Sequence, residues 1–437
     1  MTALPEAFVS RMRRQLGDEL PAFLRALSLP AERGIRMNGM KPFEGMEAYT
    51  GSESIPWAEG GYYLSESSKA GATVFHEAGA FYLQEPAAML PAEVMDVRPG
   101  ERILDLCAAP GGKATQMALK LRGTGLIVCN EPVSKRCAVL SRNMERIGIP
   151  NSIVTNSYPE ALPHAWDGVF DGVLVDAPCS GEGMFRRDPE TRLEWTAEQA
   201  SGCAARQDGI LDEAARFVRP GGRIVYATCT YHPEENEGTV RRFLDRHPEF
   251  SCEAFTAGSI SSSDGCYLCL PHRIRGEGQF AAKLRRSGSA GPAKLTVPFP
   301  RPTAAETETF NRQFPMLPKP NAKFGNTLAW VPEAPGTAGV KILRAGLHLG
   351  ETRGKTAVPD HAAAVSIGAG DFGIPAADLT ACEAAAYIAG EEIRSGGTGW
   401  LLMQYRGLRL GWGKGSEGRI RNHYPKGLRK GGILTEP

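Results

Sequence analysis

Hydrophobic residues at Phe8, Met12, Leu16, Leu20, Phe23, Leu24 and Leu27 recur at three- and four-residue steps. Residues 5–29 are therefore predicted to be helical with one apolar face. From about residue 30 to 80 that period dissolves among glycine, serine and aromatic residues, a pattern of short strands and turns. A different rhythm runs from Gln84 to Arg286. Short apolar runs at 102–106, 126–129, 152–155, 172–175 and 223–227 read as strands, and helical periods from Lys113, at 133–147 and at 197–218 lie between them. That alternation predicts an α/β unit with a parallel sheet covered on both faces. Residues 266–270 and 279–284 read instead as two strands joined by a glycine-containing turn without a helix. Residues 287–326 are dense in proline, glycine and threonine and are expected to be a linker. Strand-like patches return at 399–404 and 408–412. The expected organisation is an α+β accessory domain (1–83), the α/β domain (84–286), the linker (287–326) and a C-terminal α+β region (327–437). Removal of the chain after about Gly325 is expected to leave ligand binding by the α/β domain intact while weakening affinity for a charged partner and its salt dependence.

Composition narrows the class. A chain of 437 residues has room for two or three cores. No apolar run approaches the roughly 18 residues of a membrane span. The opening Met1-Thr2-Ala3-Leu4-Pro5-Glu6 lacks the pattern of a secretory signal. Ten cysteines without dense, regular spacing do not describe a disulfide scaffold, so a cytoplasmic protein with free thiols and no membrane partner is expected. Net charge is only +1, yet Arg406, Arg409, Lys414, Arg419, Arg421, Lys426, Arg429 and Lys430 at the C-terminus face only Glu417 and Glu436. Such a basic tail is either a phosphate-binding footprint or a solvated surface.

Asp105-Leu106-Cys107-Ala108-Ala109-Pro110-Gly111-Gly112-Lys113 follows the first strand of the α/β unit and opens a helix. Small residues there let a ligand approach the backbone, and the helix start offers free N–H groups. A phosphate-binding P-loop would need glycine at Cys107 and Ser or Thr at Ala114, so that motif is excluded. Three further strand tips carry polar residues aimed at the same crevice. Glu131 ends the second strand, where an acid can accept ribose hydroxyls, and Arg136 follows one turn on. Asn156 ends the third strand, within reach of an adenine ring, and Asp176 ends the fourth. A parallel sheet ending in a hairpin suits a class I methyltransferase.

Two cysteines leave neighbouring strands, in Asp176-Ala177-Pro178-Cys179-Ser180-Gly181-Glu182-Gly183 and in Thr228-Cys229-Thr230. Adjacent strands lie about 4.8 Å apart, so both thiols can reach one substrate. Enzymes that methylate exocyclic amines commonly place an aromatic residue where Cys179 stands. A thiol suits attack on a pyrimidine ring: thiolate addition at C6 of cytosine turns C5 into a carbanion-like centre able to displace a methyl group. An acid at N3, for which Asp176 is placed, stabilises the charge that develops. Spacing alone leaves open which cysteine attacks. Buried structural cysteines are the alternative reading.

These segments, with Met-Phe-Arg following Gly183 and Tyr-His-Pro-Glu-Glu-Asn following Thr230, resemble in order and spacing the NOL1/NOP2/Sun family of RNA cytosine-C5 methyltransferases. Leu270-Pro271-His272-Arg273, Gly276-Glu277-Gly278-Gln279-Phe280, Gly411-Trp412-Gly413-Lys414 and Asn422-His423-Tyr424-Pro425-Lys426-Gly427-Leu428-Arg429 are similar to a bacterial branch that acts on 16S ribosomal RNA. The resemblance covers nearly the whole chain. It implies a class I (Rossmann-like) sheet, S-adenosylmethionine as cofactor, Cys229 as nucleophile and Cys179 assisting release. It also implies that loop 107–113 holds the methionine part of the cofactor, with Glu131, Arg136 and Asp176 around it. Many members carry an aspartate near the end of the third strand, where this chain has Asn156-Ser157-Tyr158. The resemblance further implies a C-terminal PUA-like RNA-binding module, and Gly34-Ile35-Arg36-Met37-Asn38 is similar to the branch's N-terminal RNA-binding extension. A monomer acting on 16S ribosomal RNA or the small subunit is expected. The competing readings are the same chemistry on transfer RNA or 23S ribosomal RNA, a non-catalytic RNA-binding assembly factor, and a zinc module on Cys266, Cys269 and His272.

Overall fold

Nine strands form the central sheet of the computed structural model, which describes residues 3–367, 373–394 and 396–436. In chain order they are β1 (Arg102–Asp105), β2 (Leu126–Asn130), β3 (Ser152–Thr155), β4 (Phe170–Asp176), β5 (Val218–Thr228), β6 (Phe250–Cys252), β7 (Cys266–Cys269), β8 (Gln279–Arg286) and β9 (Ile342–Ala345). Their spatial order is β7-β8-β5-β4-β1-β2-β3-β9, with β6 also pairing with β8. The five strands from β1 to β5 run parallel, and β8 turns the sheet antiparallel at β5. The chain walks outward from β1 to β3 and then crosses back to β4. That reversal between β1 and β4 opens a crevice at the carboxyl ends of the strands.

The period of two along each strand separates two cores. Ile103, Ile127, Cys129, Val154, Leu174 and Val225 face one side, against Met117, Ala118, Leu140 and Met144 of helices α1 (Gly112–Lys120) and α2 (Ser134–Ile147). Leu104, Val128, Ile153, Val173, Val175 and Ile224 face the other, against Leu211 and Ala214 of α3 (Ala197–Phe217) and Val240 and Phe243 of α4 (Glu237–Arg246). Thr196 and Gln199 cap the start of α3 reciprocally, and Gly148 in the left-handed region ends α2. Emptying one of these sites, as in Leu140→Ala, should cost about 2–5 kcal/mol.

The crossing from β3 to β4 has no α-helix. Pro159 and Pro163 each open a single 3-10 turn there, and buried Trp166 covers the sheet. Ala322, Ala329, Val331 and Ala334 complete the cover, and β9 pairs antiparallel with β3 at the sheet edge. The C-terminal region is thus built into the central sheet and is no appendage. The stretch 287–326 is more than a connection: helix Ala304–Gln313 starts on a Thr303/Glu306 capping box and buries Phe310, and Ala322–Phe324 begins a four-stranded sheet.

At the N-terminus two helices, Glu6–Leu16 and Leu20–Ser28, replace the single predicted period, Pro21 setting the start of the second. Their apolar face meets Phe185, Trp195, Tyr231 and Leu270 of the central unit. Strand Gly34–Met37 is buried along its whole length. Arg36 there donates to Gln84 Oε1, Gly112 O and Thr115 Oγ1, and Asn38 to Gly79 O and Ile147 O. The segment 34–38 is therefore a buried strut that ties the N-terminal region to the central unit. Of the basic tail, Arg406 pairs with Glu436 and Lys430 with Glu77, while Lys414, Arg419, Arg421 and Lys426 stand exposed. Cys266 and Cys269 pack into opposite cores, and His272 bonds Glu19. Those three residues do not converge on one point. Among the described residues no helix is long and apolar enough to cross a membrane.

Candidate active site

Two adjoining cavities, of about 310 and 190 Å³, open at the carboxyl ends of β1, β4 and β5. Cys107, Ala109, Lys113 and Asp176 line both; Cys179 and Cys229 line the larger one only. Arg136 lines the larger, and Asp105, Ala108, Pro110 and Gly112 line the smaller. The loop 107–113 hugs the sheet because Ala108 N bonds Asn130 O at 2.9 Å and Cys107 N bonds Asp105 Oδ1 at 3.3 Å. Gly111, at φ 109°, takes the left-handed turn into α1 that a side chain would resist.

Charge is arranged in pairs. Lys113 Nζ meets Asp176 Oδ2 at 2.8 Å. Burial opposes the Lys113 charge, yet the carboxylate beside it keeps its pKa above the ordinary value. Burial, then the nearby charge of Asp176, pushes the Asp105 carboxyl up to about 8, and its Oδ2 has no hydrogen-bond partner among the described residues. Arg136 donates to Ala109 O at 2.9 Å and stands 3.5 Å from Glu131, whose carboxylate is buried behind it. Asn156 sits at the tip of β3, but it lines neither cavity. Its amide donates to Glu131 O and Pro132 O, and its carbonyl accepts from Ser134 and Lys341. The structure does not bring this side chain to the crevice.

The thiols of Cys179 and Cys229 lie 3.4 Å apart. Their hydrogen bond holds the Cys229 thiol below its ordinary pKa against the opposing effect of burial, and the Lys113 charge works in the same direction. The same bond, with burial, pushes Cys179 well up. The two cysteine loops touch through backbone. Gly183 N donates to Cys229 O at 2.9 Å, and a Cβ on Gly183 would fall 2.5 Å from Gly278 O and 2.8 Å from Cys229 O. Buried Glu182 accepts from Tyr231 N and from Arg11, which reaches over from the N-terminal helix. Glu235 holds the other side, accepting from Ser180 and from Gln207, which also bonds Pro178 O.

Sequence reasoning missed Asp105, although it stands inside the loop motif. It also missed Glu85 and Glu277, which line the larger cavity from segments outside that motif. Burial raises both carboxyls, Glu277 to about 7 even with Arg186 bonded to both of its oxygens. No local pattern announces either one, because only the folded chain brings them beside the thiols.

An open sheet with ligand-sized cavities at its switch point, a small-residue loop and paired thiols define a class I S-adenosylmethionine-dependent methyltransferase. The unpartnered Asp105 oxygen in the wall of the smaller cavity suits a cationic cofactor headgroup.

Three family descriptions match in order along the chain: the N-terminal domain of 16S rRNA methyltransferase RsmF at 4–86, 16S rRNA methyltransferase RsmB/F at 92–285, and the methyltransferase RsmF PUA domain at 375–430. Ribosomal RNA small subunit methyltransferase F of Cronobacter sakazakii is 31% identical over 99% of this chain and 97% of its own. The protein of that name in Escherichia coli O81 is 30% identical over 98% and 97%. A crystal structure of a methyltransferase homolog protein from Pyrococcus horikoshii has a TM-score of 0.56 at 26% identity, covering 65% of this chain and 96% of that one. NSun6 from Pyrococcus horikoshii with SFG shares the fold at TM-score 0.56 and 22% identity, over 66% and 100%. The chain belongs to the RsmB/F family of rRNA methyltransferases.

Proposed function

We propose that this enzyme methylates C5 of a cytosine in 16S ribosomal RNA, as a cytoplasmic monomer, with Cys229 as nucleophile and Cys179 as the release residue. The observation that carries this reading is the thiol pair, 3.4 Å apart and bordered by the cofactor loop. S-adenosylmethionine supplies the methyl group when bound. Loop 107–113, Asp105 and Arg136 with Glu131 behind it would hold it.

The flipped base enters the larger cavity. The Cys229 thiolate, favoured by the Cys179 hydrogen bond and by Lys113, adds to C6. Asp176 acts here as a carboxylic acid, donating its proton to N3 while charge develops in the ring, and Lys113 holds the other carboxyl oxygen, Oδ2, in place. Once C5 carries the methyl group, the C5 proton leaves with the help of Cys179, the C5–C6 double bond re-forms and the Cys229–C6 bond breaks.

Two measurements test the reading. Cys229→Ala should bind RNA and cofactor yet show neither methylation nor covalent complex, whereas Cys179→Ala should accumulate an RNA-linked band on a denaturing gel. The reverse pattern would exchange the two roles. Bisulfite sequencing of RNA from cells lacking the protein should lose a 5-methylcytosine in 16S ribosomal RNA; loss confined to transfer RNA or 23S ribosomal RNA would reassign the substrate.

A further inference from the structure

Arg187 lines both cavities where they meet, with an exposed side chain. The other cations there are committed. Lys113 is paired with Asp176, and Arg136 donates to Ala109 O in front of Glu131. The preceding Arg186 is spent on Glu277, Ala26 O and Gly276 O. Arg187 makes no hydrogen bond or ion pair among the described residues. Glu85 and Glu277 feel its charge, but neither binds it. Glu85 accepts from the amides of Ala87, Ala88 and Glu277, and burial drives both carboxyls toward the neutral form. The backbone on either side is fixed: Arg186 is clamped as described, and Asp188 N bonds Met184 O at 2.7 Å. A held backbone thus presents a free guanidinium at the mouth of the thiol cavity.

When a base swings into such a cavity, its sugar and flanking phosphates stay at the mouth. A guanidinium matches a phosphate with two parallel N–H donors. We propose that Arg187 grips a phosphate adjoining the target cytosine, so that insertion of the base and seating of the backbone occur together. This rests on the RNA reading above. The other anion within reach is the carboxylate of the cofactor, and the test separates the two.

Full-length wild type and Arg187→Gln would be compared on a short single-stranded RNA holding one cytosine. A second copy would carry uncharged methylphosphonate linkages on both sides of that cytosine, and cofactor affinity would be measured by calorimetry. On ordinary RNA the variant should bind about tenfold or more weakly, the cost of a charge-assisted contact. The slope of log affinity against log salt should fall by about 0.7, the share of one phosphate on a single strand. Cofactor affinity should be unchanged. On the methylphosphonate RNA the two proteins should bind alike, because the contact is already gone, and Arg187→Lys should recover part of the loss. Equal weakening on both RNAs, or none on either, overturns the proposal; weakening of the cofactor alone assigns Arg187 to the cofactor carboxylate. If wild type binds neither RNA, the RNA reading itself falls and takes this proposal with it. If wild type binds and Arg187→Gln binds equally, only the Arg187 assignment falls.

Discussion

A thiol that donates a hydrogen bond keeps its proton, and the sulfur that accepts it loses its own more readily. The roles proposed above require Cys179 to donate and Cys229 to accept, and that asymmetry can be measured without RNA. Alkylation of Cys229 by iodoacetamide should accelerate as pH rises toward its lowered pKa. Cys179→Ala removes the donor, and Lys113→Met removes the positive charge. Each loss disfavours the thiolate, so each should move the inflection to higher pH. An unmoved inflection in both variants would mean that neither group tunes the thiol. The loop, Asp176 and both cysteines were legible in the sequence because each sits in a contiguous motif at a strand tip. Glu85, Glu277 and the commitment of Asn156 were not, since they depend on which distant segments come to lie beside them.

Among elements, the N-terminal helix Glu6–Leu16 does more than cover a core. Arg11 bonds Glu182 in one cysteine loop and Tyr231 O in the other, and Gln15 also bonds Tyr231 O. Arg11→Ala leaves a buried carboxylate without its partner and should cost about 3 kcal/mol, read as a lower urea midpoint. Adding Glu182→Gln should restore much of that loss, because a neutral side chain tolerates burial; no recovery would mean that charge is not the cause. Gly183→Ala tests the contact between the loops. Its Cβ would force the strand-tip loops apart, and a displacement near 1 Å should lower turnover by about 10²-fold with cofactor affinity kept. The parallel strands and their helices were readable from alternating periods. The helix-free crossing from β3 to β4 was not, because the cover it lacks comes from residues far along the chain.

Across the whole molecule, the N-terminal and C-terminal regions meet at the ion pair of Glu77 and Lys430, 2.6 Å apart. Burial works against the Glu77 charge, but bonds from His76 and Lys430 bring its pKa down to about 2 in the folded protein from an ordinary 4.5. Its stabilisation is therefore complete above about pH 4.5 and is lost as pH falls through the folded value near 2. Glu77→Gln should be less stable than wild type at neutral pH by about 2 kcal/mol, and the two should converge in urea midpoint as pH drops through that window. A gap that persists at the acid end would remove the ion pair as its source. The position of β9 bears on how the protein is made. Every residue lining the two cavities leaves the ribosome well before Ile342–Ala345, the strand that closes the β3 edge, has been synthesised. Until then β3 offers an unpaired ladder to any passing strand. A chain stopped near residue 325 should thus accumulate as aggregate and be degraded, instead of persisting as a fragment that holds cofactor. The nascent enzyme gains a finished sheet only once Ile342–Ala345 has emerged, so a message terminated before that strand yields no competitor for the RNA that the longer chain serves.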